Sequence, residues 1–223
     1  MIDPSARIHA SADLEADVSV GAGTSVWHRA QLRTGARIGR DAIIGRDVFI
    51  DEGVTIGDRV KIQNGALLYR GVTIADGVFI GPGVILTNDR RPRALNPAGD
   101  LARAADWTVS AVRIEVGASL GAGVIVVAGR NVGPYAMVGA GSVVTHDVPA
   151  HGLAVGNPAR LIGWVCVCAE RIGDASGGSA AVQRSPAERE LTCPACHRRF
   201  AHLADDEGLR ERMRSGDEAA TPA

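Results

Sequence analysis

The chain has 223 residues, a formal net charge of −1, 46% apolar residues, 28 glycines and only 4% aromatics. The charge balance excludes a broad basic nucleic-acid surface, and 22% charged residues beside this apolar content exclude a wholly disordered chain. So few rings and so many glycines also exclude an ordinary core filled partly by aromatics, and the length suits one large domain or one domain with a small appendage. The opening segment, MIDPSARIHASADLEADVSV, has no basic stretch followed by an apolar one, and Gly, Asp or Arg interrupts every later apolar run. The expectation is a cytoplasmic protein with no export signal and no membrane insertion.

From Ile8 onward a branched aliphatic recurs every sixth residue: Leu14, Val20, Val26, Leu32, Ile38, Ile44, Ile50, Ile56, Ile62, Leu68, Ile74, Ile80 and Leu86. After a break the series resumes at Ile114 and runs through Leu120, Val126, Val132, Val138 and Val144. A second, mostly small position falls four residues after each aliphatic, as at Ala30, Ala36, Ala42 and Val48, and Gly commonly follows the aliphatic directly. A period of six fits neither a helix nor one long alternating strand. It fits a solenoid of short strands joined by tight corners, with one aliphatic per segment pointing inward and Gly supplying the corner conformations. Between six and seven coils at ~4.8 Å each give a prism roughly 30 Å tall, too narrow for stacked rings.

The register is lost over residues 87–113, a stretch holding Asn88, Asp89, Arg90, Arg91, Arg93 and Trp107 among prolines. An irregular excursion of that length in a compact domain is commonly functional. After Trp164 the text changes again. Cys166-Val-Cys168, a Gly/Ser-rich link, a helix-like SPAEREL and Cys193-Pro-Ala-Cys196 follow. Four thiolates from a C-x-C and a C-x-x-C suit one tetrahedral structural zinc, which would staple a segment too short to fold on its own core. A redox disulfide or four free thiols are the other readings. Residues 1–164 are thus expected to form the solenoid, 165–203 the Cys-rich, zinc ribbon-like segment, and 204–223 a short charged helix with a frayed end.

The repeat over residues 8–149 resembles the hexapeptide-repeat acyltransferase family. The resemblance implies an all-β fold, the left-handed parallel β-helix with three hexads per coil, packed as a homotrimer. Four strings in order, VWHRA (26–30), VKIQNGALLY (60–69), GPGVILTNDRRPR (81–93) and GAGSVVTHDVPAHGLAVGNPARLIGW (139–164), look like the branch that N-acetylates 3-amino sugars carried on UDP or dTDP. That branch implies acetyl-CoA as cosubstrate, Asn88 orienting the sugar amine, and Asp89 pairing with it or taking its proton. Asn88 also reads as a turn residue at the break in register, and Asp89 as a solvated loop carboxylate. The resemblance places His28, Lys61, Gln63, Asn64, Tyr69 and Arg90 on the nucleotide-sugar side. Gly121, Ala122, Ala140 and Gly141 would leave backbone open to the pantetheine arm, and Arg160 would meet a CoA phosphate. Arg130 departs from the repeat, standing where a small residue is usual.

Acyl transfer to an amine needs a neutral amine, an aligned approach and relief of charge on the oxyanion. No histidine lies between His28 and His146, and a neutral amine can dispense with the strong base that an alcohol acceptor requires. O-acetylation of a small alcohol such as serine is therefore the weaker reading within the enzyme class. Two further readings on the same prism are a γ-type carbonic anhydrase, for which His146 and His151 would supply zinc ligands, and a non-catalytic trimeric scaffold.

Overall fold

The computed structural model describes residues 1–174, 190–202 and 208–212. The hexads form short strands that fall in turn on three stacks, of ten, seven and six strands. Pairing within the prism is parallel and the register step is one coil: Ser25 pairs with Ile43, and Ile43 with Lys61, each eighteen residues on. The aliphatic series points inward, so that Ile44, Ile50, Ile62, Leu68 and Ile80 are fully enclosed. The position four residues later closes the interior beside it, as at Ala30, Ala42, Val48 and Ala66. Burying each of these large aliphatics contributes about 1.5–3 kcal/mol, and the narrow core they form explains why aromatics are scarce. Thr24, the polar member of the small series, is buried with its hydroxyl donating to Gly39 O and accepting from Ala42 N–H.

Three edges join the faces. The first, between the ten- and seven-stranded faces, comprises residues 9–12, 27–30, 45–48, 63–66, 81–84, 121–124 and 139–142. The second, between the seven- and six-stranded faces, comprises 15–18, 33–36, 51–54, 69–71, 87–111 and 127–130. The third closes the coil. Glycine serves these corners in two ways rather than the single one expected. Glycines directly after the aliphatic permit close approach of coils: a Cβ on Gly121 would lie 2.5 Å from Ala140 N. The left-handed conformation falls two residues later, at Gly123 (φ 67°), where a Cβ would meet nothing within 4 Å. Asp41 and Asp47 adopt the same conformation in other coils, as Asp tolerates better than most residues. Arg29 clasps the Asp47 carboxylate with both nitrogens, at 2.7 and 2.8 Å, and holds its pKa below the usual carboxylate range.

The excursion interrupts this scheme without disturbing it. Val72 pairs with Val112 and Ile85 with Ile125, forty residues on instead of eighteen. The loop therefore leaves and rejoins the same coil step. Within it, an antiparallel bridge joins Leu95 and Leu101, Asn96 Oδ1 accepts from Ala98 and Asp100 N–H, and one 3-10 turn spans Ala104–Asp106.

Beyond the last coil the ten-stranded sheet turns antiparallel through Gly152–Val155, Arg160–Val165 and Arg171–Asp174. The expected Gly/Ser link thus begins later than the sequence suggests, because Arg171–Asp174 still pairs with Gly163–Val165. A separate sheet contains Leu191–Thr192, Arg199–His202 and Leu209–Arg212. The charged helix expected after residue 203 is corrected here. Leu209–Arg212 is a strand, with Leu209 buried against Phe200 and the cysteines, so packing overrides local helical character. Leu191, from the helix-like SPAEREL, also lies in a strand; residues 185–189 and 213–223 fall outside the described ones.

Candidate functional site

The first edge gathers three of the expected substrate residues. A cavity of about 250 Å³ is lined by Trp27, His28, Ile43, Gly45, Arg46, Ile62, Gln63 and Asn64. Its upper wall is aromatic. His28 stacks on His9, with centroids 3.6 Å apart, and lies nearly parallel to Trp27 at 6.2 Å. Its lower wall is amide. Asn64 Oδ1 accepts from Arg46 N–H at 2.9 Å, which orients the Asn64 amide, while Gln63 lines the cavity half-buried. Lys61 is not part of this group: it is exposed on the flat ten-stranded face, in a ladder between Ile43 and Phe79.

Further along the same edge the corners stack directly, joined by backbone bonds from Gly83 N–H to Asn64 O, Gly123 N–H to Pro82 O, and Gly141 N–H to Ala122 O. Ala122, Ala140 and Gly141 are exposed there and Gly121 is half-buried, leaving a strip of accessible backbone without long side chains. Arg160 sits at its far end. Ala159 N–H donates to Val143 O, just past the last corner, and the Arg160 side chain is exposed. Four of the five residues expected to meet the cosubstrate thus share one edge, and Arg160 opens the strand that follows it.

Tyr69, Asn88, Asp89 and Arg90 lie elsewhere, on the second edge. Asn88 is half-buried, and its Nδ2 donates to Arg70 O at 3.2 Å while its backbone O accepts from Ser110 N–H. Its amide therefore pins the excursion to the corner above, leaving Oδ1 as the end without a partner among the described residues. Asp89 Oδ1 accepts from Arg91 N–H at 2.7 Å, a local turn bond. Tyr69 packs at a tilt against Phe49, centroids 5.8 Å apart. Arg70 lies 5.7 Å from the centroid of the Trp107 ring, which anchors the returning limb of the excursion.

The four cysteines converge as expected. All four sulfur atoms lie within 4.8 Å of one another, with Cys166–Cys196 at 3.4 Å and Cys168–Cys193 at 3.6 Å. Four thiolates on one zinc at about 2.3 Å stand about 3.8 Å apart, so the residues fit that ion. Each pair is carried by a tight knuckle. Ala169 N–H donates to Cys166 O and His197 N–H to Cys193 O, and both donor residues take left-handed backbone, φ 72° and 59°. Burial pushes the Cys166 thiol up to about 12, while the Arg198 backbone N–H draws Cys196 down to about 7. His146 and His151 do not converge on a metal. His146 Nδ1 contacts Thr145 Oγ1 at the surface, whereas His151 is buried with Nδ1 on Val165 O, stacked on Tyr135 and edge-on to Phe200. Among the described residues, the cysteines are the group able to hold a metal.

The family model for bacterial transferase hexapeptide repeats matches residues 35–70 and 53–88, the stretch whose coils build the cavity and lead into the excursion. Residues 35–88 thus carry the repeat of that family. Among its relatives is a dTDP-3-amino-3,6-dideoxy-alpha-D-galactopyranose 3-N-acetyltransferase from Aneurinibacillus thermoaerophilus, 56% identical over 59 residues, 26% of this chain and 31% of the relative. Serine acetyltransferase 4 of Arabidopsis thaliana is 53% identical over 49 residues, 22% of this chain and 14% of that one. The matched stretches thus span less than a third of either relative. The fold is similar to that of a variant of AntD, an N-acyltransferase from Bacillus cereus solved with dTDP and coenzyme A. The TM-score is 0.56 at 23% identity, covering 65% of this chain and 82% of that one.

Trp27 lies in VWHRA, a string the sequence reading assigns to substrate, and the structure makes it an exposed cavity wall (48%). Arg46 is the wall residue that reading passed over. Its signal was the eighteen-residue step that three hexads per coil imply, which stacks Arg46 between His28 and Asn64.

Proposed function

We propose that this protein is an acetyl-CoA-dependent N-acetyltransferase acting on the 3-amino group of a UDP- or dTDP-linked amino sugar, at an interface between copies in a homotrimer. One observation carries the reading: heights along the prism. On the first edge the cavity ends at Asn64, Pro82 stacks next, and the open strip begins at Ala122, about 10 Å from Asn64 at two coil steps. Asn88 leaves the coil that contains Pro82, but on the second edge. A threefold axis parallel to the prism preserves height. It would bring Asn88 of one copy to the first edge of its neighbour between the cavity and the strip, where an amino sugar and a thioester would meet.

The chemistry follows from these positions. His28, Trp27, Gln63 and Asn64 offer stacking faces and amides to a nucleotide. The strip from Gly121 to Gly141, with Arg160 at its end, would receive the pantetheine arm and a phosphate of acetyl-CoA. Asn88, its Nδ2 held by Arg70 O, presents Oδ1 to an amine N–H and so aligns the nitrogen lone pair with the carbonyl. The amine adds to the thioester carbon, the tetrahedral intermediate expels the CoA thiolate, and the amine proton leaves with it. Asp89 keeps one carboxylate oxygen free for the substrate ammonium. The cysteines would hold zinc as a structural staple, remote from this chemistry.

The test is release of CoA thiol from acetyl-CoA by purified protein against a panel of UDP- and dTDP-3-amino sugars. Turnover of an amino sugar supports the reading. Release with L-serine alone would replace it by O-acetylation, and absence of both turnover and CoA binding would leave a scaffold.

A further inference from the structure

The charges on the prism are unevenly matched. In the earlier coils Arg29 meets Asp47, Arg33 meets Glu15, Arg40 meets Asp58 and Arg70 meets Glu52. Others in those coils, Arg7, Arg37 and Arg59, have no ion pair among the described residues, and the same holds beside the excursion. Arg90, Arg113 and Arg130 have no carboxylate partner among the described residues, and Asp89, the nearest acid in sequence, is turned to Arg91 N–H.

Arg130 is the exceptional member. It occupies the corner position that elsewhere on the second edge holds the enclosed Ala36, Val54 and Val72. Its residue is half-buried, and its Nε is fully withdrawn from solvent with no hydrogen-bond partner. The corner is held firmly. Gly129 N–H donates to Ser110 O at 3.2 Å, and Arg113 N–H to Arg130 O at 3.3 Å. Arg90 reaches over from the excursion, its Cδ and Nε 3.6 and 3.8 Å from where a Gly129 side chain would begin. Arg90 therefore lies against the glycine that precedes Arg130, whose Nε is a buried donor lacking an acceptor among the described residues. An unmade bond of this kind is costly. An anion with several acceptor oxygens relieves that cost, and guanidinium forks match phosphate oxygens two at a time.

We propose that Arg90 and Arg130, across Gly129, form a seat for a phosphate ester beneath the excursion. The seat rests on the proposed function only for the source of that phosphate, which is either the nucleoside diphosphate of the sugar substrate or the phosphates of CoA.

Calorimetry on the full chain tests this with wild type, Arg130→Gln, Arg130→Lys and Arg90→Gln. The probes are inorganic pyrophosphate, UDP, dTDP and CoA, with uridine and thymidine as phosphate-free controls. Arg130→Gln is expected to weaken a phosphate-bearing probe about tenfold or more, as loss of a charged hydrogen bond implies. Arg130→Lys should restore part of the loss, and the nucleosides should be unaffected. Loss confined to UDP or dTDP assigns the seat to the nucleotide sugar; loss confined to CoA assigns it to the cosubstrate. Should Arg130→Gln fail to fold, Arg90→Gln reads the same seat from an exposed position. Affinities for all four phosphate probes within twofold of wild type in every folded Gln variant overturn the proposal, as does failure of wild type to bind any of them. Unchanged KM values for an amino sugar and acetyl-CoA in the variants sink the seat and keep the activity. Phosphate binding lost in the variants, with no amino sugar acetylated by wild type, keeps the seat and sinks the activity.

Discussion

Replacing Gly121 by Ala and Gly123 by Asn, two residues apart on one corner, should give opposite results. A Cβ on Gly121 falls 2.5 Å from Ala140 N and 2.8 Å from Ala140 Cα, about 1 Å inside a normal contact of ~3.5 Å. The coils cannot simply move apart, because Gly121 N–H donates to Val138 O at 2.8 Å and Gly141 N–H to Ala122 O at 2.8 Å. Weakening two such bonds at about 1 kcal/mol each, with local overpacking of 1–3 kcal/mol, puts Gly121→Ala near 3 kcal/mol of destabilisation. For a chain of this size that lowers Tm by about 6–12 °C. Gly123 has φ 67° and open space where its Cβ would stand. Asp41 and Asp47 already take that conformation at equivalent positions, so Gly123→Asn should cost under about 1 kcal/mol. Thermal and urea unfolding of the two variants measures the difference. Equal Tm values would refute the claim that glycine after the aliphatic serves coil contact while glycine two residues later serves backbone conformation.

Asn88→Ala should lower turnover at least about a hundredfold, while losing the bond to Arg70 O shifts Tm by only a few degrees; equal damage to both, read by thiol release and thermal melts, makes Asn88 a structural pin. Cys193→Ser should take bound zinc, measured by plasma mass spectrometry, from about one ion per chain to none, with the solenoid still folded; metal-free wild-type protein would defeat the zinc site. Burial holds the His151 pKa below its ordinary 6.5, against smaller raising effects of Val165 O and Glu211. The unfolded chain then binds the extra proton more readily. Docking of the appendage on the solenoid should therefore be strongest above pH 6.5 and weaken as pH falls below it. Fluorescence of Trp164, buried in the same appendage cluster, follows this, and a signal independent of pH in His151→Phe but not in wild type is the expected result.

The solenoid was legible because its signal repeats: one aliphatic every six residues is inward-facing in every central coil, and no single misreading could shift it. The four cysteines were legible because their spacing matches a ligand set. Which residues share an edge was legible only through the three hexads per coil that the resemblance implies, and the ordered strings hid it. His28, Gln63 and Asn64 read as one group with Lys61 and Tyr69, yet the eighteen-residue coil puts Lys61 on a flat face and Tyr69 on the next edge. Function of the corner glycines was also hidden, since a contact with Ala140 depends on the coil below rather than on neighbours in sequence. Leu209–Arg212 reads locally as helix because its charged residues favour one; the strand arises from pairing with Arg199–His202 and burial of Leu209.

The excursion leaves the prism after Leu86 and returns at Val112 in phase with the coil above, a forty-residue step where eighteen would do. Under the proposed function, stability and acceptor selectivity would thereby be under separate control. The interior stack is indifferent to the composition of the inserted segment, provided its two ends meet the same strands. Loops of other lengths and charges could be exchanged at this one junction, turning the same barrel-like core to a different acceptor, and mutations that adapt the loop would carry little risk of unfolding the protein that bears it.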